Sequence, residues 1–131
     1  MEILTSYYAK VGKLISKGVV PVRISLGTPR WLNPMPTVKS LAPTSSIFEQ
    51  IKLTGDTKEY TKSFRDYLAT LDINIILDDL ASISNNNSGA PIALCCYEKP
   101  LQFCHRHIVA DWLNSSTSIF LPDVIEFDYM T

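Results

Sequence analysis

The pattern of apolar and polar residues predicts a chain in which short strands alternate with helices. β-Forming residues at positions 2–6 predict a first strand, and apolar residues at helical spacing over positions 9–16 predict a helix that Gly18 would end. Residues 19–24 predict a second strand. A strand, a helix and a strand in so short a stretch favour a crossover between parallel strands.

The second half of the chain predicts three further helices and two further strands. The clearest helix covers residues 57–70, and Asp72 can cap another that follows it. The unbroken apolar run over residues 91–96 is typical of a strand buried on both faces. A last helix over residues 104–114 and a last strand over residues 124–127 complete the pattern.

These elements predict a single α/β domain over residues 1–131. We expect three layers, with a mostly parallel sheet of about four strands flanked by helices. The 46% of hydrophobic residues is enough to build its core. Residues 27–43 form a long proline-rich loop, which is often a functional feature in a compact domain. Ser45 or Ser46 would then cap a short helix that ends near residue 51.

Charge and composition exclude several classes of protein. The net charge of −1 argues against a large basic face for non-specific DNA binding. No apolar run approaches the roughly 20 residues that a membrane span needs. The first residues lack the basic region of a signal peptide, so we expect a cytoplasmic protein. Three cysteines, two of them adjacent, make a structural disulfide framework improbable.

The candidate site is the turn between the strand over residues 91–96 and the helix over residues 104–114. Ligands bind at the carboxyl ends of strands in open α/β sheets, and helix N-termini attract anions. Glu98, Cys104 and His105 are the candidate catalytic residues, because each can act as a nucleophile, acid or base. Cys104 can equally be a buried packing residue, and His105 can equally satisfy a backbone carbonyl.

Arg106 is electrostatically unfavourable at a helix start unless an anion compensates it. A phosphate or carboxylate of a ligand would supply that charge, and so would Glu98 as an internal ion pair. Ser6 and Tyr7 end the first predicted strand and Arg23 ends the second, so all three are candidate ligand-binding residues.

The loop over residues 27–43 contains a candidate residue for one wall of the ligand cleft. Trp31 would cover the cleft or stack on a base, or would instead seal the core beneath the loop. These features favour a small anionic or nucleotide-like ligand, or a nucleic-acid phosphate. The chain contains neither a P-loop nor a dinucleotide-binding glycine motif.

A metal centre is not expected from the spacing of the potential ligands. Cys96, Cys104, His105 and His107 carry suitable atoms, but structural zinc sites favour two well-separated pairs. Neighbours such as Cys104 and His105 would also point in different directions from a helix. We therefore expect neither a metal nor another cofactor.

The run from Leu94 to Ala110 resembles the hallmark of a bacterial and phage family called domain of unknown function 488. The shared pattern is Leu-Cys-x-Tyr-Glu-Lys-Pro-x-x-Phe-Cys-His-Arg-x-x-Val-Ala. Further similar positions are Thr5-Ser6-Tyr7, Pro29, Trp31, Leu41-Ala42-Pro43, Tyr67 and Glu126. The resemblance implies a small α/β domain with its shared residues at the carboxyl edge of the sheet, and it implies no particular activity.

Two departures from that family limit what the resemblance transfers. Many members have Thr-x-Gly-His-Ser after the first strand and Asp-Val-Arg after the second. This chain has Thr5-Ser6-Tyr7 and Arg23-Ile24-Ser25 there, as in a shorter subgroup. The first hypothesis is an enzyme with an anion-binding cleft. The alternatives are a non-catalytic module that binds a nucleotide-like ligand or a protein partner, and a thiol redox or metal-binding protein.

Overall fold

A parallel four-stranded sheet organises the chain. The computed structural model describes residues 1–97, 104–117 and 123–127. The strands are β1 (Ile3–Tyr7), β2 (Val20–Arg23), β3 (Ile92–Cys96) and β4 (Ile125–Glu126). Their order across the sheet is β2-β3-β1-β4, and every pairing is parallel. The predicted α/β class and the mostly parallel sheet are confirmed.

Five α-helices lie within the described residues. They are α1 (Val11–Ser16), α2 (Ser45–Thr54), α3 (Thr57–Leu68), α4 (Ile73–Asn85) and α5 (His105–Thr117). Short 3-10 turns cover Tyr8–Lys10 and Lys39–Leu41. No helix among residues 1–97, 104–117 and 123–127 combines the length and the apolar character that a membrane crossing needs.

Side-chain caps set the starts of α2, α3 and α4. Asp56 and Asp72 accept hydrogen bonds from backbone N–H groups at the first turns of α3 and α4, and the cap at Asp72 was predicted from the sequence. The cap of α2 is Thr44, which accepts from the Ile47 N–H, rather than the predicted Ser45 or Ser46. Gly55, with φ of 65°, then ends α2 in the left-handed conformation that a residue without Cβ adopts easily.

Successive residues of β3 point to opposite faces of the sheet. Leu94 packs in the larger core with residues of α3, α4 and α5, whereas Cys95 packs in the smaller core with Leu14 of α1. Cys96 therefore shares its face with Leu94 and with the start of α5. The two adjacent cysteines occupy different environments.

The carboxyl ends of the strands lie at one edge of the sheet. Tyr7 is in register with Cys96, Arg23 with Cys95, and Thr5 with Glu126. Because α5 begins beside the end of β3, its first residues reach the same edge. Most of the polar residues that were selected as site candidates from the sequence lie at this edge.

The caps allow a direct test of helix initiation. Asp72→Ala should lower the free energy of unfolding by about 1 kcal/mol, because the Asn74 N–H loses its acceptor. Asp79→Ala, at an exposed position inside the same helix, is the matched control and should change stability by less than about 0.5 kcal/mol. Urea denaturation followed by circular dichroism measures both. Equal losses in the two variants would contradict the assigned cap.

Candidate functional site

A cavity of about 320 Å³ lies at the carboxyl ends of β2 and β3. Its volume suits a small molecule. The lining combines the turn after β2, one residue before α2, two residues of α2, one residue of α3 and the residues at the end of β3 and the start of α5. These residues are Ser25, Leu26, Gly27, Pro43, Phe48, Ile51, Tyr60, Cys96, Tyr97, Cys104 and His105.

Two cysteines meet at the wall of this cavity. The structure contains a disulfide between Cys96 and Cys104, whose Cα atoms lie 7.3 Å apart. The sequence predicted only that a disulfide framework is improbable, and this single pair does not make one. The odd count is explained by Cys95, which is free and buried on the opposite face of the sheet. Burial raises the pKa of the Cys95 thiol to about 12, so Cys95 is an inert thiol.

The imidazole of His105 is held in one tautomer. Its Nε2 contacts the carbonyl oxygen of Ile24. A carbonyl can only accept, so Nε2 carries the proton and donates a hydrogen bond to that oxygen. Its Nδ1 is then an unprotonated acceptor, 3.9 Å from Sγ of Cys104. The ring also makes an edge contact with Phe64. The contact with Ile24 agrees with the interpretation in which His105 satisfies a backbone carbonyl, and its catalytic role stays a prediction.

Burial also governs the charge state of His105. Burial lowers its pKa to about 4, the bond to Ile24 opposes this shift, and the charge of Arg106 adds to it. The imidazole is therefore neutral near pH 7.

Arg106 is completely buried and engages an internal carboxylate. Its Nε and Nη2 donate to the two carboxylate oxygens of Glu126 at 3.0 and 2.9 Å. Its Nη1 donates to Sγ of Cys96 at 3.1 Å, and its guanidinium lies 5.6 Å from the centre of the Tyr7 ring. Thr5 adds a 2.6 Å hydrogen bond to Glu126. The positive charge at the helix start is thus compensated within the fold.

The predicted site residues separate into groups. Cys104 and His105 line the cavity, while Tyr7 and Arg106 contact each other beside Cys96. Ser6 lies in register with Cys95, and so does Arg23, which places both on the other face of the sheet.

Arg23 and Trp31 are outside the described lining of the cavity. Arg23 donates to the carbonyl oxygens of Ser25 and Leu26, so it holds the turn that follows β2. Trp31 is 66% exposed. Glu98 lies outside the described residues.

Sequence reasoning gave no site role to Glu126 and no catalytic role to Cys96. The signal for Cys96 was its position two residues after Leu94, which places both on one face of a strand. For Glu126 the only signal was its place among the positions similar to the family pattern. Tyr8 was also missed: its hydroxyl hydrogen-bonds to Ser25, and burial raises its pKa to about 12.

One family profile matches the chain. It is DUF488-N3a, described as "Active DUF488-N3 subclade", and it matches residues 25–117. The chain belongs to the DUF488 family. No curated protein and no solved structure matches it. In this DUF488 chain the matched region contains every described residue that lines the cavity, whereas Thr5, Tyr7 and Glu126 lie outside it.

Loss of one partner from the Arg106–Glu126 pair should cost far more stability than loss of an exposed ion pair. Glu126→Gln keeps the shape but removes the charge opposite Arg106, so the free energy of unfolding should fall by about 3 kcal/mol. The control is Arg65→Ala, which removes an exposed pair with Asp111 and should cost less than about 1 kcal/mol. Chemical denaturation compares the two. Similar small losses would show that the buried pair does not stabilise this edge.

The state of His105 can be read by imidazole ¹⁵N NMR. At pH 7 we expect Nε2 protonated and Nδ1 unprotonated, with protonation of the ring only near pH 4. Between about pH 4 and the ordinary value of 6.5 the unfolded chain holds more protons, so stability should rise with pH across that window. His105→Gln assigns the signal and should weaken this dependence. An ordinary pKa for His105 would contradict its burial against Ile24.

Proposed function

We propose that this DUF488 protein is an enzyme whose reacting group is the sulfur of Cys104. The observation that carries the proposal is the placement of Cys104 Sγ 3.9 Å from His105 Nδ1 at the wall of a ligand-sized cavity. A nucleophile beside a base, with the base oriented by a third group, is the arrangement that activates cysteine in catalysis. The carbonyl of Ile24 is that third group. The word "Active" in the subclade's description favours an enzyme over a passive binding module.

The disulfide must open before Cys104 can react. Its reduction takes two electrons and two protons from a thiol reductant and leaves two thiols. In the subsequent attack the Cys104 proton passes to Nδ1 of His105, and the sulfur forms a bond to an electrophilic carbon of the substrate. The leaving group departs from that carbon with its bonding electrons and takes the proton from Nδ1. Water then attacks the same carbon, Nδ1 of His105 takes one of its protons, and the sulfur leaves with its bonding electrons and regains that proton. We place the protein in the cytoplasm, where reducing conditions favour the dithiol form.

The low pKa of His105 determines when the proton moves. A resting thiolate beside an imidazolium is disfavoured, because burial and Arg106 both oppose a second positive charge. The resting pair is therefore a neutral thiol beside a neutral imidazole. The proton moves as the sulfur–carbon bond forms, and this gives general-base catalysis rather than a preformed ion pair.

The lining of the cavity favours a neutral, flat group of the substrate. Among the described lining residues there is no Lys, Arg, Asp or Glu, whereas Phe48, Tyr60 and Tyr97 present aromatic rings. A heterocycle such as a nucleobase would fit this environment by stacking. A phosphate attached to it would stay outside the described lining. Because Glu126 engages Arg106, the proposal does not assign Arg106 to the ligand.

Cysteine labelling tests the role of Cys104 without a known substrate. Protein reduced with a phosphine is treated with iodoacetamide at pH 6.5, and peptide mass spectrometry gives the rate for each cysteine. We expect iodoacetamide to label Cys104, because the neutral imidazole of His105 accepts the thiol proton as the sulfur–carbon bond forms. His105→Gln should slow it at least about tenfold, since it removes the base.

Cys95 is the internal control and should stay unlabelled in the folded protein. The glutamine amide in His105→Gln can still donate to the Ile24 carbonyl, so the variant separates loss of the base from loss of that hydrogen bond. No labelling of Cys104, or labelling that His105→Gln does not change, would contradict the proposed function.

A further inference from the structure

We infer that the reduced protein binds one thiophilic divalent cation such as Zn²⁺ through Sγ of Cys96, Sγ of Cys104 and Nδ1 of His105. These three donor atoms all lie within 4.8 Å of one another. Thiolate sulfur and imidazole nitrogen are the ligands that zinc prefers. The inference uses the same cluster as the proposed function but does not depend on Cys104 being a nucleophile.

The orientation of His105 is the first argument for a metal. A metal-binding histidine usually donates its other ring N–H to a carbonyl or carboxylate, which fixes the tautomer and directs the free lone pair at the ion. Nε2 of His105 donates to the Ile24 carbonyl, and Nδ1 faces Cys104. The supporting contact of a metal ligand is therefore already in place.

The position of Cys104 is the second argument. The sequence suggested that Cys104 and His105 would diverge on a helix, but α5 begins at His105 and Cys104 precedes it. Their donor atoms converge to 3.9 Å, close to the roughly 3.5–3.8 Å between donors on a tetrahedral zinc ion. Once the disulfide is reduced, the Sγ atoms of Cys96 and Cys104 can move apart to the separation of two sulfur ligands on a zinc ion.

Local charge is the third argument. Two thiolates and a divalent cation sum to zero, which suits a buried site. Arg106 donates to Sγ of Cys96 at 3.1 Å, so a thiolate there already has a charged hydrogen-bond donor. Ion binding would release the two thiol protons that reduction supplied.

The number and the position of the donors indicate an open coordination site. The described residues provide three ligands, the number found in catalytic zinc sites, where water or substrate takes the fourth position. All three ligands line the cavity, so the fourth position would face the space in which a small molecule fits. A structural zinc site would instead have four protein ligands.

Cobalt binding tests the inference directly. The full chain is reduced with a phosphine, freed of metal and titrated with Co²⁺, and Zn²⁺ is then added as a competitor. We expect one equivalent of Co²⁺ with a thiolate-to-cobalt charge-transfer band and the strong visible bands of four-coordinate geometry. Zn²⁺ should abolish both. Binding without charge transfer, or no binding, would overturn the inference.

Variants locate the site. Cys96→Ser, Cys104→Ser and His105→Gln should each weaken Co²⁺ binding at least tenfold and alter the bands, while Cys95→Ala should leave them unchanged. Circular dichroism checks that each variant is folded. If Cys96→Ser unfolds, the other two still decide the outcome. Unchanged binding in Cys104→Ser and His105→Gln would overturn the assignment.

The two proposals can fail separately. Iodoacetamide labelling with a chelator present reports on the metal-free Cys104, and the cobalt titration reports on the ion site. Slow labelling with normal cobalt binding would remove the nucleophile and keep the metal site. Fast labelling without cobalt binding would do the reverse. If both hold, one equivalent of Zn²⁺ should protect Cys104 from labelling.

Discussion

The ion pair between the buried Arg106 and the half-buried Glu126 is the interaction on which the carboxyl edge of the sheet depends. It joins the first turn of α5 to the short strand β4, and the same guanidinium contacts Tyr7 of β1 and Cys96 of β3. Such pairs bring little net stabilisation, because both charges lose their hydration, but loss of one partner is costly. The pair therefore fixes one arrangement of four elements more than it adds to stability.

Neighbouring residues on α5 use this edge in different ways. Arg106 points to a carboxylate, while His105 points to the cavity and stays neutral. The charge of the first helps to keep the second unprotonated. A neutral imidazole with a free lone pair is required of both a general base and a metal ligand. Arg106 thus helps to keep the imidazole of His105 neutral, although Arg106 itself does not line the described cavity.

Hydrophobic patterning made most of the fold predictable. The period of the apolar residues located the strands and helices to within a few residues, and Asp72 was recognised as a cap because capping is a local interaction. The location of the site at the end of β3 also followed, since strand ends share an edge in a parallel sheet. Cys104 and His105 were singled out because they follow that strand and because each can act as a nucleophile, acid or base.

Contacts between distant residues could not be read in the same way. The partner of Arg106 lies 20 residues away on β4, and the acceptor of His105 lies 81 residues away at Ile24. No local spacing encodes either. Arg23 and Trp31 were assigned to the ligand because their segments reach the same edge, but the face of the sheet and the path of the loop decide where side chains lie. Both are set by tertiary packing.

Because side chains along β3 alternate between the two faces of the sheet, the number of residues in this strand determines which cysteine faces α5. Insertion or deletion of one residue before Leu94 would exchange the faces of Cys95 and Cys96. The sulfur beside Arg106 would then enter the smaller core, and the inert thiol would face α5. The loop over residues 27–43 can change length without that exchange. The protein should therefore tolerate insertions within this loop far better than insertions within β3, although both segments reach the same edge of the sheet.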